Sequence, residues 1–463
     1  MSTPPPLAGG AQGPDALGPL LAAALDALRT GAAARGGPLP SGGPTAVAAR
    51  VREATGEVLP ARGEGAEPAL RTLVHALAEG AADPADALCA AHLHCPPLAL
   101  AVAADLAASA LNPSMDSWDQ APAASEVEAL VTEALAAQVY GAGRGDALVT
   151  TGGTESNQLA LLLARERAAA HGPLQLLIGE NAHHSLSRAT WLLGMPEPVT
   201  VPAPAGVLDP AALDEALAEL AGPPGSFLVA ATAGTTDAGL IDPLDQIAGL
   251  CANHGARLHI DAAYGGPLLF SDVRRELLRG MERADSITFD LHKLGWQPVA
   301  AGLLLVRDPQ DLAALGHHAD YLNAGDDTEA GLPDLLGRSL RTTRRPDVLK
   351  IAVTLKALGR QGIGALVDRV CDQAQEFAEL ITSHPGFELY DRPAISTVLF
   401  RPVGADDDHI AYVRRELLTQ GRAVLGRAHI DGRRWLKATL LNPHTRPGDL
   451  AELLKLVEGT TPR

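Results

Sequence analysis

The stretch that most constrains this chain is residues 284–296, ADSITFDLHKLGW. Ser286-Ile287-Thr288-Phe289 alternates in the manner of a short strand. Asp290, His292, Lys293 and Gly295 follow at once. A lysine at the end of a buried strand is poorly placed to reach water. Its ammonium must find a partner, or its pKa must fall. An amine with a lowered pKa is nucleophilic and can form a Schiff base with an aldehyde. Taken by itself, the His-Lys pair reads better as the start of a solvent-facing loop.

A second stretch changes the balance. Residues 257–266 read RLHIDAAYGG, a strand of Leu258, His259 and Ile260 closed by Asp261. In open α/β sheets, ligands bind beyond the carboxyl ends of the strands. Ala262, Ala263, Gly265 and Gly266 are small and admit something bulky close to the backbone. A site for pyridoxal phosphate needs a lysine for the aldehyde and a carboxylate for the pyridine nitrogen. Lys293 and Asp261, each ending a strand, suit those two roles. Asp261 alone would be a turn or helix-capping residue.

The surrounding chain supplies the sheet. Strands are expected at 147–150, 174–178, 199–201, 227–231, 258–261, 286–289 and 302–306, with helices between them. Such alternation indicates a mainly parallel sheet with helices on both faces, here a large domain over 111–345. After its first strand comes Thr151-Gly152-Gly153-Thr154, with a helix opening near Glu155. A glycine turn at a helix N-terminus presents free amides to a phosphate, and Thr154 adds a hydroxyl. The ending of a Walker loop is missing, and the same pattern fits a plain strand-turn-helix. In NAHHSLSRA (181–189), one of His183 and His184 is placed to stack on a flat ring. From 346 to 463 the pattern changes to a small α+β domain. It holds a long helix (349–381), strands at 387–390 and 396–400, a helix (408–420), strands near 423–425 and 435–440, and a last helix (447–457).

The remaining sequence bounds the partners. Residues 1–15, rich in Pro and Gly, read as a disordered lead with no signal peptide. Residues 16–110 read as a helical arm, with helical spacing at 20–28 and 69–78. An arm that cannot close its own core is expected to dock on a second subunit. The following loop carries Trp118, a candidate pocket residue, and Ser125 with Glu128 reads as a capping box. A net charge of −18 argues against nucleic acid or an anionic membrane as partner. No run is long and apolar enough to span a bilayer. Cys89, Cys95, Cys251 and Cys371 lack paired or zinc-like spacing and read as free thiols of a cytoplasmic protein. Cys95 sits in HLHCPP with His92 and His94, but no second ligand cluster completes a metal site.

Together, HIDAAYGG, the LHK of FDLHKLGW and the TGGTESN turn resemble, in order and spacing, the group II pyridoxal-phosphate decarboxylases. That family includes aromatic amino acid, glutamate, histidine and diaminobutyrate decarboxylases. The resemblance runs from about His92 to the C-terminus. SMDSWDQ, HKLGWQP, HADYLN, TTRRPDVLK and LKATLLNP look closest to the bacterial siderophore-type lysine and diaminobutyrate decarboxylases. The resemblance implies an aspartate-aminotransferase-like fold (fold type I) and a homodimer with the active site at the subunit interface. It implies Lys293 as the Schiff-base lysine, Asp261 as partner of the pyridine nitrogen and His183 as the stacked histidine. Gly153 and Thr154 match the phosphate turn, Asp290 and His292 lie near the phosphate, and Thr235 or Thr236 approaches the ring hydroxyl. Ala263 belongs to the cofactor-binding set.

The implied reaction is α-decarboxylation of an L-amino acid to the amine and carbon dioxide, with a basic substrate such as lysine, ornithine or 2,4-diaminobutyrate. Asp119 and Asp116 are candidate partners for a basic side chain. Two positions depart from the family. The loop at 331–338, GLPDLLGR, lacks the tyrosine that aromatic amino acid decarboxylases use to protonate the substrate carbon. Lys437 stands where several members carry an arginine for the substrate carboxylate. The alternative readings are another pyridoxal reaction on the same fold, such as a sulfur lyase, oxidative deamination or decarboxylation of an aromatic or acidic amino acid, and a cofactor-free binding or structural protein.

Overall fold

The computed structural model describes residues 4–169 and 172–461. The first three residues of the expected lead lie outside the described residues. Helices α1 (Gly13–Arg35), α2 (Gly43–Thr55) and α3 (Ala66–Gly80) form the N-terminal arm, with α1 and α2 both packed on α3. The first of these begins at Gly13, inside the stretch expected to lack structure, because Pro14 suits a first helical turn. Helix α4 (Ala99–Leu111) and α5 (Pro122–Tyr140) follow.

Next come β1 (Asp146–Thr150), α6 (Gly153–Ala168), β2 (Gln175–Gly179), α7 (Ser185–Leu192) and β3 (Val199–Val201). The chain continues through α8 (Pro210–Glu219), β4 (Phe227–Thr232), α9 (Leu244–His254), β5 (Arg257–Ala262), β6 (Ser286–Asp290) and β7 (Gly302–Val306). These seven strands form one sheet in the order β1-β7-β6-β5-β4-β2-β3. The pairs among β6, β5, β4, β2 and β3 are parallel; β7 runs antiparallel to both β1 and β6.

Side-chain alternation explains the helices on both faces. Val149, Val229, Ala231, Leu303 and Leu305 pack with residues of α5 and α9 on one side. Leu148, Leu304 and Val306 pack with Leu159, Ala160 and Leu163 of α6 on the other, and Leu176, Ile178, Leu228 and Ala230 with Leu186 of α7. Neighbouring strand residues thus face opposite layers, and both layers are apolar, as a doubly covered sheet requires.

The chain then passes α10 (Gly325–Glu329) into α11 (Val348–Ser383), which breaks at Gly359, where φ is +63°. Strands β8 (Phe387–Leu389) and β9 (Thr397–Pro402), helix α12 (Asp407–Thr419), strands β10 (Gly426–Ile430) and β11 (Arg433–Thr439) and helix α13 (Pro447–Thr460) complete it. The second sheet is antiparallel, in the order β10-β11-β9-β8.

Two local expectations are corrected. Ser125 and Glu128 do not cap a helix. Pro122 starts α5 three residues earlier, Ser125 donates to Pro122 O at 2.9 Å, and Glu128 forms a buried ion pair with Arg344 at 2.6 Å. The strand expected at 423–425 begins at Gly426. The earlier residues are buried as a connection whose Val424 bridges Cys89.

Candidate active site

Strands β1, β2, β4, β5 and β6 point the same way, so their carboxyl ends meet along one edge of the sheet. There they line a cavity of about 390 Å³. Lys293 reaches it from β6, Asp261 and Ala263 from β5, Thr236 from β4 and His183 from the turn after β2; Thr151–Glu155 open α6. Lys437 enters from β11 of the small sheet. Tyr264 joins the two sheets, its hydroxyl 2.8 Å from Ser396 Oγ and 3.0 Å from Thr397 Oγ1.

Asp261 is 6% exposed and held from two sides. Asn157 Nδ2 donates to its Oδ2 at 2.8 Å and Ala263 N to its Oδ1 at 3.1 Å. Asn157 is the hub of this network. Its Nδ2 also donates to Ser185 Oγ at 2.8 Å, and its Oδ1 accepts from Thr288 Oγ1 at 2.6 Å and lies 3.0 Å from His259 Nε2. Burial pushes the His259 imidazole well below its ordinary range, so the ring is neutral. Its Nε2 donates to Asn157 and its Nδ1 accepts from Ser286 Oγ at 2.9 Å. Asn157, the last residue of TGGTESN, is a site residue that the sequence alone does not assign. Its signal was its place one helical turn inside the glycine turn.

His183 Nδ1 lies 2.7 Å from Ser185 Oγ and 3.3 Å from Ser185 N. Both contacts fit an acceptor at Nδ1, which leaves the proton on Nε2. Burial lowers the pKa of this histidine against the opposing pull of Asp261, so the ring is neutral near pH 7. His184 tilts against it at 49°, ring centroids 4.1 Å apart.

Lys293 Nζ lies 3.0 Å from Asp290 Oδ2, an ion pair without hydrogen-bond alignment. The Asp290 side chain is buried and neither of its oxygens receives a hydrogen bond. His292 Nε2 stands 3.6 Å from the same carboxylate, and burial lowers its pKa. Gly152 has φ +150°, and a Cβ there would meet His292 Cε1 at 2.9 Å. A Cβ on Gly153 would stand 3.0 Å from Ala263 Cβ and 3.2 Å from Asp290 Oδ2. The glycines therefore keep the wall open, and the first residues of α6, whose amides have no intrahelical acceptor, line the cavity.

Lys437 Nζ donates to Thr236 O at 2.9 Å, and burial pulls its pKa down. Beside it lie His92 and Leu93. They belong to a strap fastened to the lysine turn by Cys95 Sγ to His292 O (3.2 Å) and Leu98 N to Trp296 O (2.9 Å). On the other side Thr439 N donates to Ala90 O at 2.7 Å. HLHCPP is thus a wall of the cavity. His92, whose spacing to His94 and Cys95 points only toward a metal, is a cavity residue that sequence reasoning missed.

Four expected residues are not brought into this cavity. Thr235 is buried and closes its own turn, its Oγ1 accepting from Leu240 N at 3.0 Å; Thr236 lines the cavity instead. Trp118 lies on the surface, 38% exposed. Asp119 accepts from Ser117 Oγ at 2.5 Å and stays within its own turn. Asp116 is buried and accepts from Gln120 Nε2 at 2.9 Å.

The donor set fits pyridoxal phosphate. It offers an amine for the aldehyde, a buried carboxylate with two fixed donors for the ring nitrogen, and a glycine turn that a Cβ would fill.

Comparison with known proteins gives the same class. Residues 71–403 match the model of the pyridoxal-dependent decarboxylase conserved domain. The chain belongs to the pyridoxal-dependent decarboxylases, and pyridoxal phosphate is its cofactor. It is 41% identical to L-2,4-diaminobutyrate decarboxylase of Rhizobium meliloti, over 80% of this chain and 77% of that one. With the enzyme of the same name from Acinetobacter baumannii it shares 36% identity over 79% and 78% of the two chains. A crystal structure is also similar at a TM-score of 0.87 and 31% identity, covering 98% of this chain and 97% of that one. It is the glutamate decarboxylase domain of diaminobutyrate-pyruvate transaminase and L-2,4-diaminobutyrate decarboxylase from Vibrio parahaemolyticus. The Oryza sativa TDC, solved with PLP and tryptamine, shares the fold at a TM-score of 0.87 over 98% of this chain and 99% of that one, at 23% identity.

Proposed function

We propose that this chain decarboxylates L-2,4-diaminobutyrate, releasing carbon dioxide and 1,3-diaminopropane. One observation carries the reading: Lys293, Asp261, His183 and the glycine turn line a single cavity, in a chain 41% identical to a diaminobutyrate decarboxylase. When bound, pyridoxal phosphate supplies a ring that draws the electron pair from the breaking bond between Cα and the carboxylate.

The chain's own residues do the rest. Lys293 is the amine that holds the cofactor aldehyde, with Asp290 as its counter-ion while it is free. Asp261, fixed by Asn157 and Ala263 N, would hold the protonated ring nitrogen of the cofactor. Gly153 and Thr154, at the head of α6, would hold its phosphate. His183, held by Ser185 as a neutral ring with its proton on Nε2, would stack on the cofactor and offer that proton to the substrate. Lys437 is an ammonium suited to the substrate carboxylate, and the strap carrying His92 keeps water from the reacting carbon. Orientation of the carboxylate selects decarboxylation over competing bond cleavages. We place this enzyme in the cytoplasm as a homodimer with the site near the subunit interface. Four free cysteines support the compartment, and the exposed Trp118, in the loop that follows the helical arm, supports the pairing.

The test is product analysis with added pyridoxal phosphate, offering 2,4-diaminobutyrate, ornithine, lysine and glutamate. Carbon dioxide and 1,3-diaminopropane from the first, faster than from the others, is the expected result. Preference for another acid overturns the substrate, and peroxide with a carbonyl product in place of the amine overturns the reaction.

A further inference from the structure

The phosphate turn already carries an anion. Glu155 Oε2 accepts from Thr151 N at 2.6 Å and from Thr151 Oγ1 at 2.7 Å. Its Oε1 lies 3.3 Å from Arg341 Nε. All of Thr151–Glu155 line the cavity. A second carboxylate, Asp290, borders Gly153 but has Lys293 as its counter-ion at 3.0 Å. Arg341 plays that part for Glu155. Arg341 comes from the segment behind the exposed loop at 317–338, which Arg338 pins to β1 through Asp146 at 2.6 Å. Its own N donates to Ser339 Oγ at 3.0 Å. The buried Arg341 Nε makes no aligned hydrogen bond, so the contact with Glu155 is ionic. A phosphate dianion arriving at the head of α6 therefore meets a like charge that shares the same positive helix end.

We infer that Glu155 and Arg341 form a charge pair that sets the affinity of this chain for the phosphate end of its cofactor. Glu155 holds the donors of Thr151 and weakens phosphate binding by like-charge repulsion. Arg341 offsets that repulsion. Helix capping alone would leave Glu155 with no such effect, and Glu155→Gln separates the two roles. The amide oxygen still accepts from Thr151, and only the charge is lost.

The inference rests on the cofactor reading and is tested on the cofactor-free full chain, by titrating pyridoxal phosphate and pyridoxal and following absorbance. Glu155→Gln should lower the Kd for pyridoxal phosphate by about tenfold, and Arg341→Gln should raise it by about tenfold, the scale of one charge contact near a protein surface. Pyridoxal, which lacks the phosphate, should bind all three proteins alike. Added salt should shrink both shifts. An unchanged or raised Kd in Glu155→Gln overturns the pair, as does an unchanged Kd in Arg341→Gln or an equal shift with pyridoxal. Wild-type protein that binds no pyridoxal phosphate would contradict the cofactor reading itself; normal wild-type binding with unshifted variants contradicts only the pair.

Discussion

Asn157 is a fully buried amide whose hydrogen-bonding groups are all engaged, and it joins Asp261, Ser185, His259 and Thr288. Asn157→Leu keeps the shape and strands several buried polar groups, each at a cost of about 1–3 kcal/mol. Urea denaturation should show that loss, and kcat should fall because Asp261 is no longer held. Asp261→Asn keeps the volume and removes the charge. A drop in kcat of about 10²–10³, the usual effect of deleting one electrostatic stabiliser, is expected with little change in denaturation midpoint. The imidazoles set a pH dependence. His92, His183, His259 and His292 all have pKa values lowered by burial. The unfolded chain therefore takes up protons that the folded chain refuses, and stability rises with pH through that window. Unfolding free energy of the cofactor-free protein should be level above about pH 6.5 and fall below it, as denaturation at pH 7.5 and 5.5 would record. Lys293 and Asp261 were legible because each stands at or just past the end of a strand, and His183 and Gly153 because the motifs that hold them resemble those of a known family; all four line the cavity. Thr235 against Thr236 was not, since one residue of register decides which side chain faces the cavity. His92 was weighed only against a metal, and its use depends on a strap bridging two sheets.

At the scale of elements, strand ends carry the site and close backbone approaches set its shape. The first residue of β7, Gly302, would place a Cβ 2.5 Å from Gly152 Cα and 2.6 Å from Gly152 N. Those atoms are backbone and cannot swing aside. Gly302→Val should therefore push β7 away from the phosphate turn and raise the Kd for pyridoxal phosphate, measured by titration. Helix α5 is tied to the segment before α11 by Arg344 and Glu128, whose side chains are 2% and 6% exposed. Removing one partner leaves a buried charge, and Arg344→Met should cost about 3–5 kcal/mol. The double variant with Glu128→Leu should recover much of that loss in a thermal melt. The seven strands of the large sheet were legible to within a residue because each is a short apolar run bounded by turn residues, whereas the strand expected at 423–425 lies at Gly426–Ile430. Gly302–Val306 matches its expected span. The start of α5 was not legible: the capping box expected at Ser125 and Glu128 does not form, because Pro122 opens the helix and the distant Arg344 pairs with Glu128.

Across the whole molecule, a seven-stranded sheet and a four-stranded sheet meet at one cavity, with Lys293 on one side and Lys437 on the other. The α/β architecture was legible from alternation alone, and the reversed direction of β7 was not, since residue pattern is silent about strand direction. Among the described residues no helix is long and apolar enough to cross a membrane. The central claim is that this cavity holds pyridoxal phosphate on Lys293. Borohydride reduction of the loaded protein followed by peptide mass mapping tests it directly. The expected result is the phosphopyridoxyl mass on the peptide carrying Lys293, with no such mass in Lys293→Ala. That mass on another lysine, Lys437 included, or on none, would contradict it.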